Sequence, residues 1–246
     1  MTETNPPKSL PDVMLLAAGL GTRMMPLTAR KPKPLIEVAG KPLIDRAVEA
    51  ALAEGLTHFV INAHYIADLV GAHIAGLEAA HPEARFRISL ERANALGTGG
   101  GVKKALPQLE SDPVLVMNTD AFWALGGDKP IARMIESFED NGAEIVLLCA
   151  HRSRATGFRR SHDFCLDPSG RITLDSGAPV IYAGVALIAR SLFDDTPDTA
   201  FSLTKLFDRA LERDTLHGTA LNAPWFHVGD PQALEEAERI LAIPTP

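Results

Sequence analysis

The chain has 246 residues, a net charge of −7 at pH 7 and two cysteines. That length accommodates one large α/β domain or a domain with a small subdomain, and the negative charge argues against a nucleic-acid binder, whose partner selects basic surfaces. Two cysteines in apolar segments are too few for a disulfide framework, residues 1–11 lack the apolar core of a signal peptide, and no apolar run approaches the length of a membrane span, so a soluble cytoplasmic protein with a disordered tail over residues 1–11 is expected.

Apolar runs at residues 13–18, 58–62, 85–90, 114–118 and 145–150 alternate with segments of helical spacing at 43–54, 66–77, 101–108 and 131–140. This alternation predicts a parallel sheet covered by helices on both faces. Pro42 suits the first turn of its helix, where a missing N–H is harmless. Beyond about residue 150, short extended pieces at 163–166, 171–174 and 180–188 predict a small antiparallel part, followed by helices at 203–213 and 232–241. The expected fold class is therefore α/β: a Rossmann-like, mostly parallel sheet with helices on both faces and a small antiparallel subdomain. One domain over 12–246 divides into parts at about 12–150 and 151–230 and a C-terminal helix over 231–246. Ligands of open sheets bind beyond the carboxyl ends of the strands. Three polar features fall there: a glycine loop after Ala18, residues 62–64 and residues 118–120.

Residues 16–35 read LAAGLGTRMMPLTARKPKPL. A glycine turn after an apolar run lets backbone N–H groups approach an anion, with the cations Arg23 and Lys33 close behind. A dinucleotide fingerprint fails because Met24 stands where its third glycine belongs, and no P-loop string occurs. Arg23, Arg30, Lys31, Lys33 and Lys41 form either a local basic pocket for a free nucleotide or a solvated basic loop. Asp120 follows the run VLVMN, as a hard ligand for Mg²⁺ or as a helix cap. Residues 96–101, LGTGGG, open a helix whose free N–H groups can read a flat base, or form a flexible loop.

The string at 16–35 resembles the signature of the sugar nucleotidyltransferases, LAAGxGTRMxPLTxxxPKPL, at every fixed position. The resemblance implies a Mg²⁺ enzyme in which a sugar 1-phosphate attacks the α-phosphorus of a nucleoside triphosphate, giving an NDP-sugar and pyrophosphate. Those two small molecules are the expected partners, with no nucleic acid and no membrane. It puts the nucleotide site on Leu16, Ala17, Ala18, Gly19, Gly21, Thr22, Arg23, Lys33 and Asn118, and the catalytic roles on Arg23 and Lys33. Base contacts fall on Gly97, Thr98 and Gly99, with Glu91 or Arg92 as further readers of the base edge, and the metal falls on Asp120.

The family's second metal carboxylate lies in a string like WxDVGT, where this chain has WFHVGD, so His227 stands at that place. Neutral imidazole suits Mn²⁺ or Zn²⁺ better than Mg²⁺. His227 contacts the metal or its waters, or Asp230 substitutes, or Asp120 works with the phosphates alone; water-mediated contact from His227 is preferred, with a plain pocket wall as the alternative. Asp230 before Pro231 has the character of a helix cap. The family's NxG sugar string is replaced by Tyr182, Ala183 and Gly184, with Asp175 upstream and Gly157 as a further candidate. Arg152, Arg154, Arg159 and Arg160 either meet an acidic sugar or form a solvated face.

Because the attacking phosphate monoester is already anionic, the implied catalysis is alignment and charge neutralisation, without a general base. A compact chain with GTGGG, lacking a hexapeptide-repeat domain, most resembles the N-acetylmuramate 1-phosphate uridylyltransferases of cell-wall recycling, with UTP as the favoured nucleotide. Mannose 1-phosphate guanylyltransferase and glucose 1-phosphate thymidylyltransferase stay open. So does a reading of another class, a catalytically silent nucleotide-sugar sensor.

Overall fold

Uninterrupted apolar strands must be covered on both faces, and the chain meets that demand with helices drawn from both sides of the sheet. The computed structural model describes residues 10–242; of the tail expected over residues 1–11, residues 1–9 lie outside the described residues. The elements are β1 (Val13–Leu16), α1 (Leu43–Leu52), β2 (His58–Ala63), α2 (Ala67–Ala80), β3 (Arg85–Leu90), α3 (Gly97–Ala105), β4 (Val114–Asn118), β5 (Ala121–Trp123) and α4 (Pro130–Asp140). After them come β6 (Ile145–Ala150), β7 (Ala155–Thr156), β8 (Phe164–Leu166), β9 (Ile172–Thr173), β10 (Ala178–Ile188), α5 (Thr204–Glu212), β11 (Leu216–Leu221), β12 (Trp225–His227) and α6 (Pro231–Leu241).

Strands β4, β1, β2 and β3 lie side by side and parallel, with Val13 opposite both Leu115 and Phe59. Their residues alternate between two cores. Val13, Leu15, Phe59, Ile61, Leu115 and Met117 pack with α1, α2 and α4, whereas Met14, Val60, Val114 and Val116 pack with α3 and α5. The strand period of two thus divides each apolar run between the faces.

The antiparallel part is continuous with this sheet. Strand β10 is eleven residues long; its first half pairs with β8 and its second half with β4, while its other edge pairs with β6, itself parallel to β11. The register against β6 shifts between Tyr182 and Ala186, across Gly184 at φ 84°. That irregularity bends β10 beside the end of β4. Both cysteines are buried and free, and no helix among the described residues is long and apolar enough to cross a membrane.

A second sheet of three short strands, β5, β12 and β7, stands over the carboxyl end of the first. Its inner face stacks Phe122 on Phe226 with ring centroids 5.0 Å apart. Met24, Ile36, Val38 and Leu43 join that stack in a third core, which ties the loop over 17–35 to the strand bearing His227. Phe226→Ala should therefore cost about 3–5 kcal/mol of unfolding free energy, measured as a fall in the urea midpoint. A change below about 1 kcal/mol would mean that this core contributes little to stability.

Candidate active site

Where β1 and β4 end, their backbones are tied together by the Thr119 hydroxyl, which donates to the Leu16 carbonyl at 2.8 Å. The loop that follows β1 doubles back on itself. Gly21 adopts φ 64°, and a Cβ there would lie 2.9 Å from Thr28 Cγ2 and 3.1 Å from Lys33 Cβ, so only glycine fits without displacement. The Thr28 hydroxyl donates to the Gly21 carbonyl at 2.8 Å, and the Tyr65 hydroxyl donates to the Thr28 carbonyl at 2.9 Å. This folding carries Lys33 to Asp120, whose Oδ2 accepts from Nζ at 2.7 Å.

Two cavities meet at Asn118 and Asp120. The first, about 230 Å³, is walled by Leu16, Ala17, Ala18 and Gly19 and by Asn62, Glu91, Gly97 and Thr98, with Lys33 also lining it. A Cβ on Gly19 would have nothing within 4 Å, so the protein's own packing does not require that glycine. The second, about 370 Å³, is bounded by Arg23, Gly157, Asp163, Tyr182, Gly184 and His227. Gly157 sits against the carbonyl of His227, 2.1 Å from where its Cβ would be, and Gly184 gives way to Asn118 in the same manner at 3.2 Å. A further hollow of about 280 Å³ adjoins the second and shares Tyr182, Arg160 and Asp163 with it.

Several expected residues stand elsewhere. Lys31 and Lys41 pair with Glu37 and Glu49 at the surface, and Arg30 is exposed away from both cavities, so of the five cations only Arg23 and Lys33 line the cleft. Gly21 and Thr22 shape the loop without lining either cavity. Gly99 is a packing glycine rather than a base contact. Its Cβ would fall 2.2 Å from the Phe201 ring, and its N–H, like that of Gly100, donates to the Phe201 carbonyl and is not free to read a base. The helix α3 starts at Gly97, within the LGTGGG string expected to open it and ahead of the helical spacing that begins at residue 101. Arg92 is exposed outside the cavities.

On the other side, Asp175 lies in the exposed turn between β9 and β10, outside every cavity described above. The acidic group at that wall is Asp163, which accepts from the Tyr182 N–H at 3.0 Å and pairs with Arg160 at 2.5 Å. Sequence reasoning finds the extended piece that begins at Asp163 but has no signal for its side chain, because the contact runs across to β10. Arg152 and Arg154 are spent on the Ala155 and Asn222 carbonyls, and Arg159 is held by Glu236 and Asp230. Asp230 caps α6, accepting from the Ala233 N–H at 2.8 Å.

Asp120 is about a quarter exposed. Burial alone would raise its carboxyl, but the His227 imidazole, with Nε2 3.7 Å from Oδ2, and the Lys33 ammonium outweigh it and hold the group far below the usual carboxylate range. Burial raises the Tyr182 phenol, and the Asp120 charge adds to the effect. The His227 ring stacks on Trp225 and lies against Gly229, with Nδ1 buried and unpartnered. No group of three or more His, Cys, Asp or Glu side chains suited to a metal occurs among the described residues. One carboxylate beside one imidazole does fit an ion that keeps several waters and takes its remaining ligands from substrate phosphates.

The Nucleotidyl transferase family model matches residues 12–158. The chain is 40% identical over 93% of its length, and 96% of the relative's, to the N-acetylmuramate α-1-phosphate uridylyltransferase of Caulobacter vibrioides. It is 31% identical over 92% of its length, and 96% of the relative's, to the enzyme of that name from Neisseria meningitidis. Among solved structures, HddC from Yersinia pseudotuberculosis complexed with GMP-PN shares the fold, with a TM-score of 0.72 and 23% identity over 94% of this chain and all of that one.

The place of His227 yields a test. His227→Asp should shift the ratio of Mg²⁺ to Mn²⁺ affinity toward Mg²⁺ by about tenfold or more, read by titrating each ion into the nucleotide-loaded protein. An unchanged ratio would remove His227 from the surroundings of the metal.

Proposed function

We propose that this chain, which belongs to the nucleotidyl transferase family, transfers the uridylyl group of UTP to N-acetylmuramate 1-phosphate. The coarser activity, that of a sugar-1-phosphate nucleotidyltransferase, is the premise. The observation that carries the transfer reaction is the meeting of two cavities at Asn118 and Asp120, the latter paired with Lys33. One cavity suits a nucleotide laid along the residues after β1, and the other suits an acceptor presented from β10 and β12. A reaction that consumes a nucleoside triphosphate fits the cytoplasm.

In this reading a phosphate oxygen of the sugar 1-phosphate attacks the α-phosphorus, the bond from that phosphorus to the bridging oxygen breaks, and pyrophosphate departs with the electron pair. Lys33 bridges the α-phosphate and the incoming phosphate, and holds them in line at the junction of the cavities. Arg23, on the Asp120 and His227 side, offsets charge on the departing pyrophosphate. Asp120, with His227 beside it, would hold a divalent cation whose role is to neutralise phosphate charge. Asn118 lines both cavities and separates their occupants.

The choice of acceptor and nucleotide rests on the two relatives named above and on Arg160. Its side chain is 73% exposed at the wall shared by the acceptor cavities, near the Phe158 ring and paired to Asp163. An acceptor carrying a lactyl carboxylate can compete for that guanidinium.

Pyrophosphate release across a panel of UTP, GTP and dTTP with N-acetylmuramate, N-acetylglucosamine, mannose and glucose 1-phosphates should favour UTP with the muramate. Arg160→Ala should raise KM for the muramate about tenfold while leaving the uncharged sugars unchanged. Preference for another pair would replace the substrate assignment, and silence with every pair would favour a nucleotide-sugar sensor. Lys33→Ala should lower kcat at least about a hundredfold. Near-normal turnover would take Lys33 out of the reaction.

A further inference from the structure

In the lining of the first cavity, a chain of hydrogen bonds joins its two walls. The Ala17 N–H, just past the end of β1, donates to Asn62 Oδ1 at 2.7 Å. Asn62 Nδ2 donates to Glu91 Oε1 at 2.7 Å, and Glu91 Oε2 accepts from the Leu96 N–H, also at 2.7 Å. Asn62 and Glu91 are each only 2% exposed. Both Glu91 oxygens are therefore engaged by protein donors, which leaves the carboxylate a part of the wall rather than a reader of the base edge. Gly101 makes room for the pair: a Cβ there would lie 2.6 Å from Asn62 Nδ2 and 2.9 Å from Glu91 Oε1.

The chemistry of this chain is constrained from both ends. Ala17 and Leu96 present backbone N–H groups, so each end of the side-chain pair must offer an acceptor, and the pair must supply one donor between its members. One amide with one carboxylate meets that requirement in either order. Two amides leave two donors facing each other at one joint, and two carboxylates leave two acceptors and two buried charges in contact.

We propose that Asn62 and Glu91 act together as positioning residues that set the distance between the phosphate-side wall, Ala17 to Gly19, and the wall that begins at Leu96, before any nucleotide enters. This rests on the reading of the first cavity as the nucleotide site. Neither side chain reaches the reacting atoms at Lys33 and Asp120; their effect passes through the backbone at Ala17 and Leu96.

The test is a swap. Asn62→Asp and Glu91→Gln alone each break one joint of the chain. The double variant rebuilds it: the carboxylate now at position 62 accepts from the Ala17 N–H and from the amide now at position 91, and the oxygen of that amide accepts from the Leu96 N–H. In steady-state assays with the nucleotide the wild type prefers, each single variant should raise KM for the nucleotide about tenfold, with kcat changed less than about threefold and KM for the sugar phosphate unchanged. The double variant should return to within about threefold of wild type. Nucleotide binding by calorimetry and unfolding midpoints are measured on all four proteins. Singles that lose stability but keep their nucleotide affinity, or a double variant as impaired as both singles combined, would overturn the positioning role. A wild type that binds sugar phosphate but no nucleoside triphosphate would overturn the underlying reading of the cavity, and the proposal with it.

Discussion

The arrangement depends on one ion pair, Lys33 to Asp120, which joins a loop near the N-terminus to a strand end 87 residues later. Without it, the loop over 17–35 would be tied to the body through Met24, Tyr65 and the neighbouring core, and its cation would have no fixed place. The pair also sets the electrostatics of the cleft. Burial would drive Asp120 toward its neutral form, and the His227 imidazole and the Lys33 ammonium beside it reverse that tendency, so a carboxylate stands at the junction of the two cavities. A negative group held in place by an ammonium suits a site for phosphates: Lys33 can turn toward an arriving anion while Asp120 keeps a ligand for a cation.

Around that junction the chain repeatedly removes a side chain to let backbone or polar groups approach. Gly99 receives the Phe201 ring, Gly101 the Asn62–Glu91 pair and Gly157 the carbonyl of His227. These glycines share the segments that carry cavity-lining residues, and sequence alone does not separate the two uses. Gly19 is the contrasting case, since the space beside it is open. In LGTGGG, Gly99 and Gly101 serve packing, Gly97 both lines the cavity and, at φ 68°, abuts the Phe201 carbonyl, and Thr98 faces the cavity.

Much of the fold is legible in the sequence because its signals are local. Apolar runs announce β1, β2, β3, β4 and β6, and their spacing with helical segments announces a parallel sheet, with ends that move by only a few residues; β5, β7, β11 and β12 carry no such run. The site is legible where one contiguous string carries it, as at residues 16–35, or where a strand end presents a side chain, as at Asp120. The failures share a cause. Lys31 and Lys41 lie near the pocket along the chain, but the turn directs them to Glu37 and Glu49. Proximity along the chain to Tyr182 points to Asp175, whereas antiparallel pairing of β8 with β10 brings Asp163 to Tyr182.

The sequence by itself determined the fold class, the glycine loop after β1, the carboxylate that follows β4 and the position of His227 in the string WFHVGD, since each is written in consecutive residues whose backbone preferences and chemistry act locally. Only the tertiary structure decided which of those residues share a cleft, which glycines serve packing, and how Asn62 and Glu91 are paired in the lining of the first cavity. Those outcomes depend on contacts between segments far apart in the chain. Hydrogen-bond partners at 2.7 Å and a ring 2.2 Å from where a Cβ on Gly99 would stand are properties of packed surfaces, which no spacing along one strand or helix can encode.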